Sequence, residues 1–241
     1  MRAVLCTSGG LPGNAVLDAL RSHAIEPAGI VVSTRILSPR YGFLRGAWEQ
    51  YRRSGFRYTA YLGCAFLKPL SRRGLPVLST RDINQESARA FIAKLAPDLI
   101  VSAFFNQRIG EAVTAIAPSV NIHPSLLPAF KGVDPVFHAR LRDAPLGVTL
   151  HRIAPELDAG EIIAQRACAP LEGESVLGAT IRLYQTGAQL LVESLDRIGA
   201  GGTTQTGQSN YDSWPGRGDV AALRRKGVRL VRLRDLLARA A

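Results

Sequence analysis

Cysteine, methionine, histidine and tryptophan are all scarce in this chain of 241 residues: three, one, four and two, respectively. Cys6, Cys64 and Cys168 are odd in number, far apart and outside any metal-site spacing. A disulfide framework and a cysteine-based metal centre are therefore not expected, and a reducing, cytoplasmic setting is. No run approaches the ~20 apolar residues that a membrane-spanning helix needs, so no membrane partner is expected. The N-terminus, Met1 to Cys6, reads as a strand leading into a glycine-rich turn, and no signal peptide is expected. Acids are the scarcer charge, 19 against 30 Lys and Arg, for a formal net charge of +11. Hydrophobic residues make up 46%, an ordinary globular composition and enough for one sizeable core.

Apolar strands alternate with amphipathic helices, the pattern of an α/β fold with a doubly wound, mostly parallel sheet. Strands are expected at Arg2–Cys6, Gly29–Ser33, Leu75–Ser79, Asp98–Phe104 and Val120–His123. Val148–Ile153 and Glu161–Ala167 read as an antiparallel pair. Asn14 is a candidate cap for a helix running to about His23, and Asp82 with Gln85 resembles a capping box for a helix ending near Ala96. A short helix is expected over Gly110–Ala117, and Ser175–Ile198 is the longest helical pattern. The expected organisation is a catalytic domain over 1–198, with an insertion at 34–74, followed by a linker and basic extension over 199–241.

Positive charge is concentrated in two places. Residues 35–73 carry nine Lys or Arg against Glu49 alone, and residues 217–241 carry eight against Asp219 and Asp235. The insertion interleaves its arginines with Tyr41, Phe43, Trp48, Tyr51, Phe56, Tyr58 and Tyr61. Such a mixture can stack on a nucleotide or nucleic acid, but the helical spacing of Phe43, Leu44, Ala47, Trp48 and Tyr51 favours packing on the domain. An anionic partner is implied by the charge, its identity is not.

The densest chemistry lies at 121–160. Asn121-Ile122-His123-Pro124-Ser125-Leu126-Leu127-Pro128 is followed by Gly132, then His151, then Asp158-Ala159-Gly160. Asn121 and His123, two apart on a strand, share one face. An amide and an imidazole are donors suited to a developing oxyanion, where one donor contributes roughly 3–4 kcal/mol. A carboxylate at Asp158 can move a proton and favour the imidazolium of His123. Alone, an Asn-x-His pair is usually structural and an Asp-Ala-Gly is usually a turn; their combination at this separation is what points to catalysis. His151 fits a structural or supporting role within its strand. His138 either lines the acceptor side of a pocket or sits on a solvated helix face, and His23 reads as a surface residue at a helix end. The turn at Gly9–Gly13 matches neither GxGxxG nor a Walker pattern, so a tight turn and a phosphate site remain open readings.

The stretch Asn-x-His-Pro-Ser-Leu-Leu-Pro with a later Asp-x-Gly resembles the signature of 10-formyltetrahydrofolate-dependent formyltransferases. The resemblance covers about 75–195 well and strand one in outline. It implies formyl transfer to an amine with Asn121, His123 and Asp158 as catalytic residues. It implies folate contacts at Phe105, Asn106, Gln107 and Ile109, mostly through backbone, and at Ala154 and Glu156. It implies acceptor contacts at Gly10, Ser125, Leu126 and Gly132. 10-Formyltetrahydrofolate is the implied co-substrate, with no metal. A small, anionic amine is the expected acceptor, foremost a nucleotide-linked amino sugar held by arginines from both basic segments around one cleft. Glycinamide ribonucleotide and methionyl-tRNA are alternatives, although few residues follow Ile198 for an RNA-binding domain. A 10-formyltetrahydrofolate hydrolase, and a nucleic-acid-binding protein on the same fold, are the readings of other classes. The oligomeric state is left open, a homodimer included.

Overall fold

The computed structural model describes residues 1–23, 25–35 and 42–237. Tyr41 and the side chain of Phe43, both invoked above, lie outside the described residues. In chain order the elements are β1 (Ala3–Thr7), α1 (Gly10–Ser22), β2 (Pro27–Ser33), α2 (Phe43–Ala65), β3 (Val77–Thr80), α3 (Glu86–Lys94), β4 (Leu99–Ala103), α4 (Glu111–Thr114) and β5 (Ser119–His123). They continue with β6 (Lys131–Gly132), α5 (Pro135–Leu141), β7 (Leu146–Arg152), β8 (Ile162–Cys168), α6 (Val176–Glu193), a 3-10 turn at Leu195–Arg197, β9 (Tyr211–Asp212), α7 (Arg217–Arg225) and α8 (Leu233–Leu237).

Seven strands form one sheet in the order β3-β2-β1-β4-β5-β7-β8. The first five are parallel, and β7 and β8 join antiparallel at one edge. Every residue of β1 and β4 is buried, as expected for central parallel strands covered on both faces. One face packs Leu5, Val101 and Ile122 against Val16, Leu17 and Leu20 of α1 and Ala188, Leu190 and Leu191 of α6. The other packs Val4, Cys6 and Ile100 against Ile92 of α3 and Val113 of α4. The α/β class and the antiparallel edge pair are as the sequence indicated.

Two helix starts differ from expectation. The helix after β1 begins at Gly10, so Asn14 lies inside it; its amide donates to Gly10 O and Pro69 O and accepts from Ser71 N–H at 2.8 Å. A buried amide fastening the insertion to α1 satisfies more polar groups there than a cap would. The capping box at Asp82/Gln85 is also absent: Gln85 is the cap residue of α3, without a side-chain bond, and Asp82 accepts from Asn84 instead.

A second core stands beside the sheet. Tyr58, Tyr61, Leu62 and Ala65 of α2 pack with Val136 and Phe137 of α5, Leu177 and Leu183 of α6, and Val220 and Leu223 of α7. Residues 199–237, read from the sequence as linker and extension, thus contribute strand β9 beside β6 and helices to this core. The insertion is largely helical and, at 23 residues across a kink at Gly55, exceeds the 18 of α6. Packing of its aromatics is divided by helix face: Trp48 and Phe56 are 58% and 73% exposed, whereas Tyr58 is wholly buried. Trp48 and Tyr51 stack on one another, and Arg217 lies over Tyr51.

Candidate active site

Strand β5 delivers Asn121 and His123 to the carboxyl end of the sheet, where it meets β7 in antiparallel register with Asn121 opposite His151. The β7–β8 connection brings Asp158 back over that edge in a left-handed conformation, φ 54°. Aspartate tolerates this backbone region better than most side chains. His123 Nδ1 lies 3.4 Å from Asp158 Oδ1, and both side chains are nearly buried. Asp158 Oδ2 accepts the Gly132 N–H at 2.9 Å, and the Gln205 amide of the tail donates to Asp158 O at 2.9 Å. One carboxylate oxygen is thus held by Gly132 and the backbone by Gln205, with Oδ1 left facing the imidazole.

Bond directions fix the histidine tautomers. His123 Nε2 sits 2.9 Å from the Phe130 carbonyl, which can only accept, so Nε2 carries hydrogen and Nδ1 faces the carboxylate. His151 Nδ1 likewise donates to Arg152 O at 2.8 Å, leaving Nε2 to accept from the Asn121 amide at 3.0 Å. Burial, and next the neighbouring His123, push the His151 pKa down to about 4. A neutral His151 is what this acceptor role requires. It aims Asn121 by taking one of the amide's two N–H groups and leaving the other.

Asn121, His123 and Asp158 line one cavity of about 390 Å³. Phe105, Asn106, Gln107 and Gly132, singled out in sequence, line it as well. Gln107 is spent on structure: it accepts from Ile83 N–H and donates to Ser33 Oγ and Thr80 O. Asn106 is similarly engaged with Ser33 and Arg35, so these residues offer the cavity mainly backbone. Six other candidates stand outside the lining among the described residues. Ile109 is buried against the α3–α4 side of the sheet. Ala154 and Glu156 precede the lining residues Leu157 and Asp158. Ser125 turns its hydroxyl to Ala129 O, and Leu126 packs over Gly147. Gly10, φ 67°, is pressed under α2, where a Cβ would stand 2.2 Å from Ala65 O; the turn reads as a tight packing turn. The neighbouring Ser8 lines the cavity, and its buried hydroxyl has no hydrogen-bond partner in the structure.

His138 fits neither sequence reading. It is buried outside the cavity lining, with Nε2 donating to Ser213 O at 2.9 Å and Nδ1 3.8 Å from Asp212. It clamps the tail to α5, as Arg142 does through a paired contact with Asp212. The arginines also depart from expectation. Segments 35–73 and 217–237 do meet, through Arg217 donating to Tyr51 O and Arg52 O. Yet Arg52, Arg53, Arg57, Arg224 and Arg225 are exposed on the outer side, and among the described residues Arg35 and Arg108 are the arginines that line the cavity. Helices α2 and α7 turn their apolar stripes inward to make the second core, so their charged faces point away.

Sequence reasoning missed much of the wall. Tyr61, Leu62, Ala65 and Phe66 come from the insertion, Thr180 and Tyr184 from α6, and Tyr211 and Trp214 from the tail, with Asp134 between them. The 58, 61, 62, 65 spacing was a usable signal for a buried helical face. Nothing local marks the tail residues. Among the described residues no cluster suits a metal ion, and no helix is long and apolar enough to cross a membrane.

Residues 2–195 match the family profile described as formyl transferase. Methionyl-tRNA formyltransferase of Roseiflexus castenholzii is 42% identical over 137 residues, spanning 55% of this chain and 44% of that protein. The counterpart from Anaplasma phagocytophilum is 37% identical over 131 residues, again 44% of its length. The chain thus matches less than half the length of these curated relatives. In fold it is similar to a likely sugar N-formyltransferase of Mycobacterium tuberculosis, with TM-score 0.57, 21% identity, and 88% of this chain and 74% of that one covered. It is also similar to phosphoribosylglycinamide formyltransferase of Bacillus halodurans, with TM-score 0.56, 19% identity, and 82% and 95% covered.

Proposed function

The chain belongs to the formyl transferase family, and from that premise we propose that it transfers a formyl group from 10-formyltetrahydrofolate to the primary amine of a small acceptor. The observation that carries this reading is the convergence of Asn121, His123 and Asp158 on one cavity, with Asp158 3.4 Å from His123. The co-substrate supplies the formyl carbon. Its fit is supported by a cavity in the size range of small-molecule sites, by the aromatic and apolar lining at Phe104, Phe105 and Leu157, and by the unpartnered Ser8 hydroxyl. Phe105, Asn106 and Gln107 would hold it, chiefly by backbone.

The residues divide the work by their bonding. Asn121, oriented by neutral His151, keeps one N–H for an oxygen gaining negative charge. Asp158 Oδ1 is the acceptor for the proton that an incoming ammonium must shed, and His123 Nδ1 lies against that oxygen. The fixed Oδ2 keeps the carboxylate from rotating away. Because its groups are preorganised, the site needs little rearrangement to act.

The test is Asp158→Asn and Asn121→Ala, assayed by consumption of 10-formyltetrahydrofolate with a panel of amines. Asp158→Asn is expected to fold and lose transfer, since an amide cannot take the proton. Asn121→Ala is expected to lower kcat by roughly 10²-fold or more. A folded Asp158→Asn variant with near-native turnover would overturn the assignment, and consumption independent of any amine would indicate a hydrolase.

A further inference from the structure

The acceptor end of the cavity differs in chemistry from the folate end. Arg35 and Arg108 belong to the folate end, beside the loop after β4: Asn106 bonds Arg35 O, and Arg108 donates to Pro155 O. The other end is walled by Tyr61, Tyr184, Trp214 and Tyr211 and contains Asp134, the cavity's carboxylate besides Asp158. No lysine or arginine lines that end among the described residues.

Asp134 is held with care. It precedes α5 in a left-handed conformation, φ 48°. The Tyr58 hydroxyl donates to Oδ2 at 2.8 Å and the Tyr61 hydroxyl to Oδ1 at 3.3 Å. A carboxylate offers about four acceptor positions, so the two tyrosine hydroxyls leave it with acceptor capacity to spare. It is withdrawn from bulk solvent yet partly open to the cavity. Burial holds its carboxyl above the usual range, while the tyrosine hydrogen bonds and His138 pull the other way. His138 is already tied to Ser213 and Asp212. Tyr184 lies within electrostatic reach of both Asp134 and Asp158, and both carboxylates line the one cavity.

Resting on the formyl-transfer reading, we propose that this end of the cavity selects amines whose far end carries a second cationic nitrogen, with Asp134 as the specificity-determining anion and Tyr61, Tyr184 and Trp214 as its aromatic walls. Ionising a carboxyl in such a place is costly, and a bound cation offsets that cost where a hydroxyl does not. Aromatic faces add to the attraction for an ammonium. A phosphate-bearing acceptor would meet repulsion there with no guanidinium to offset it. The formal net charge of +11 opposes cations only weakly, since its arginines lie on outer faces and are screened over roughly 8 Å.

The experiment compares putrescine with pentylamine and cadaverine with hexylamine as acceptors for wild-type protein, alongside an amine of similar length ending in phosphate. Each diamine is expected to exceed its isosteric monoamine by about tenfold in kcat/KM, and Asp134→Asn is expected to collapse that ratio towards one. Binding of the same pairs, followed by NMR with 5-formyltetrahydrofolate present, gives a second readout that needs neither turnover nor the variant. Equal behaviour of diamine and monoamine in wild type, a preference for the phosphate-bearing amine, or a ratio that survives Asp134→Asn in a folded variant would each overturn the inference. Failure of 5-formyltetrahydrofolate to bind would instead overturn the formyl-transfer reading, so the two failures remain distinguishable.

Discussion

At the residue scale the site depends on which atoms hold protons. His151 donates from Nδ1 to Arg152 O and accepts at Nε2 from Asn121, so one buried imidazole decides how the Asn121 amide points. Its pKa, about 4 in the folded chain, lies below the roughly 6.5 of a free histidine. Between those values the unfolded chain binds more protons than the folded one, so stability rises with pH across that window. It is fully present above about pH 6.5 and is lost as pH falls towards 4, by on the order of 3 kcal/mol. Denaturant unfolding at pH 7 and near pH 4.5 should show most of that loss in wild type, and His151→Gln should shrink the difference. An unchanged difference in the variant would mean that other groups control the acid limb.

At the scale of elements, two residues of strand β6 join the tail to the Asp158 carboxylate. Gly132 N–H donates to Asp158, and its Cα, at φ 98°, stands so close to β9 that a Cβ would meet Asp212 O at 2.3 Å. Gly132→Ala must therefore part β6 from β9 or rotate the peptide off Asp158. The expected outcome is a loss of roughly 1–3 kcal/mol together with a fall in kcat, read from denaturation and from turnover of the same preparation. Full activity with unchanged stability would show that β6 does not position Asp158. The β5 strand needs no such partner to be recognised, because Asn121 and His123 alternate with buried Val120 and Ile122. The β6–β9 ladder, by contrast, is two residues long and joins segments almost 80 apart in sequence.

At the scale of the whole molecule, the tail and the insertion complete both a core and a cavity. Ending the chain after Ile198 would remove Val220 and Leu223, both buried, and Trp214 and Tyr211 from the cavity wall. Each buried aliphatic side chain contributes roughly 1.5–3 kcal/mol, against a typical total near 5–15 kcal/mol. Such a truncation is expected to lose cooperative unfolding, which circular dichroism would check. The exposed arginines of α2 and α7 imply a second outcome. Bulk tRNA should bind at low salt and release as salt rises, log affinity falling linearly with log salt as counterions are released. Submicromolar binding that persists near roughly 0.15 M salt would show instead that these faces form a specific RNA surface.

Sequence alone determined the α/β class, the antiparallel edge pair and the Asn121, His123, Asp158 signature, because each rests on short-range pattern: alternating burial, strand length, or a run of fixed residues. It also located the loop carrying Phe105, Asn106 and Gln107. What only the tertiary structure decided are features made by side chains from distant segments. Asn14 became a clasp rather than a cap because Pro69 and Ser71 came within reach. His138 faced the tail because Asp212 and Ser213 return beside α5. Asp134 became a cavity-lining carboxylate held by Tyr58 and Tyr61, which arrive from an insertion 73 to 76 residues away. The arginines of α2 and α7 lie outside the cavity because amphipathic helices bury their apolar faces first. Composition can count those charges, but only the packing of α2 against α7 decides which way they point.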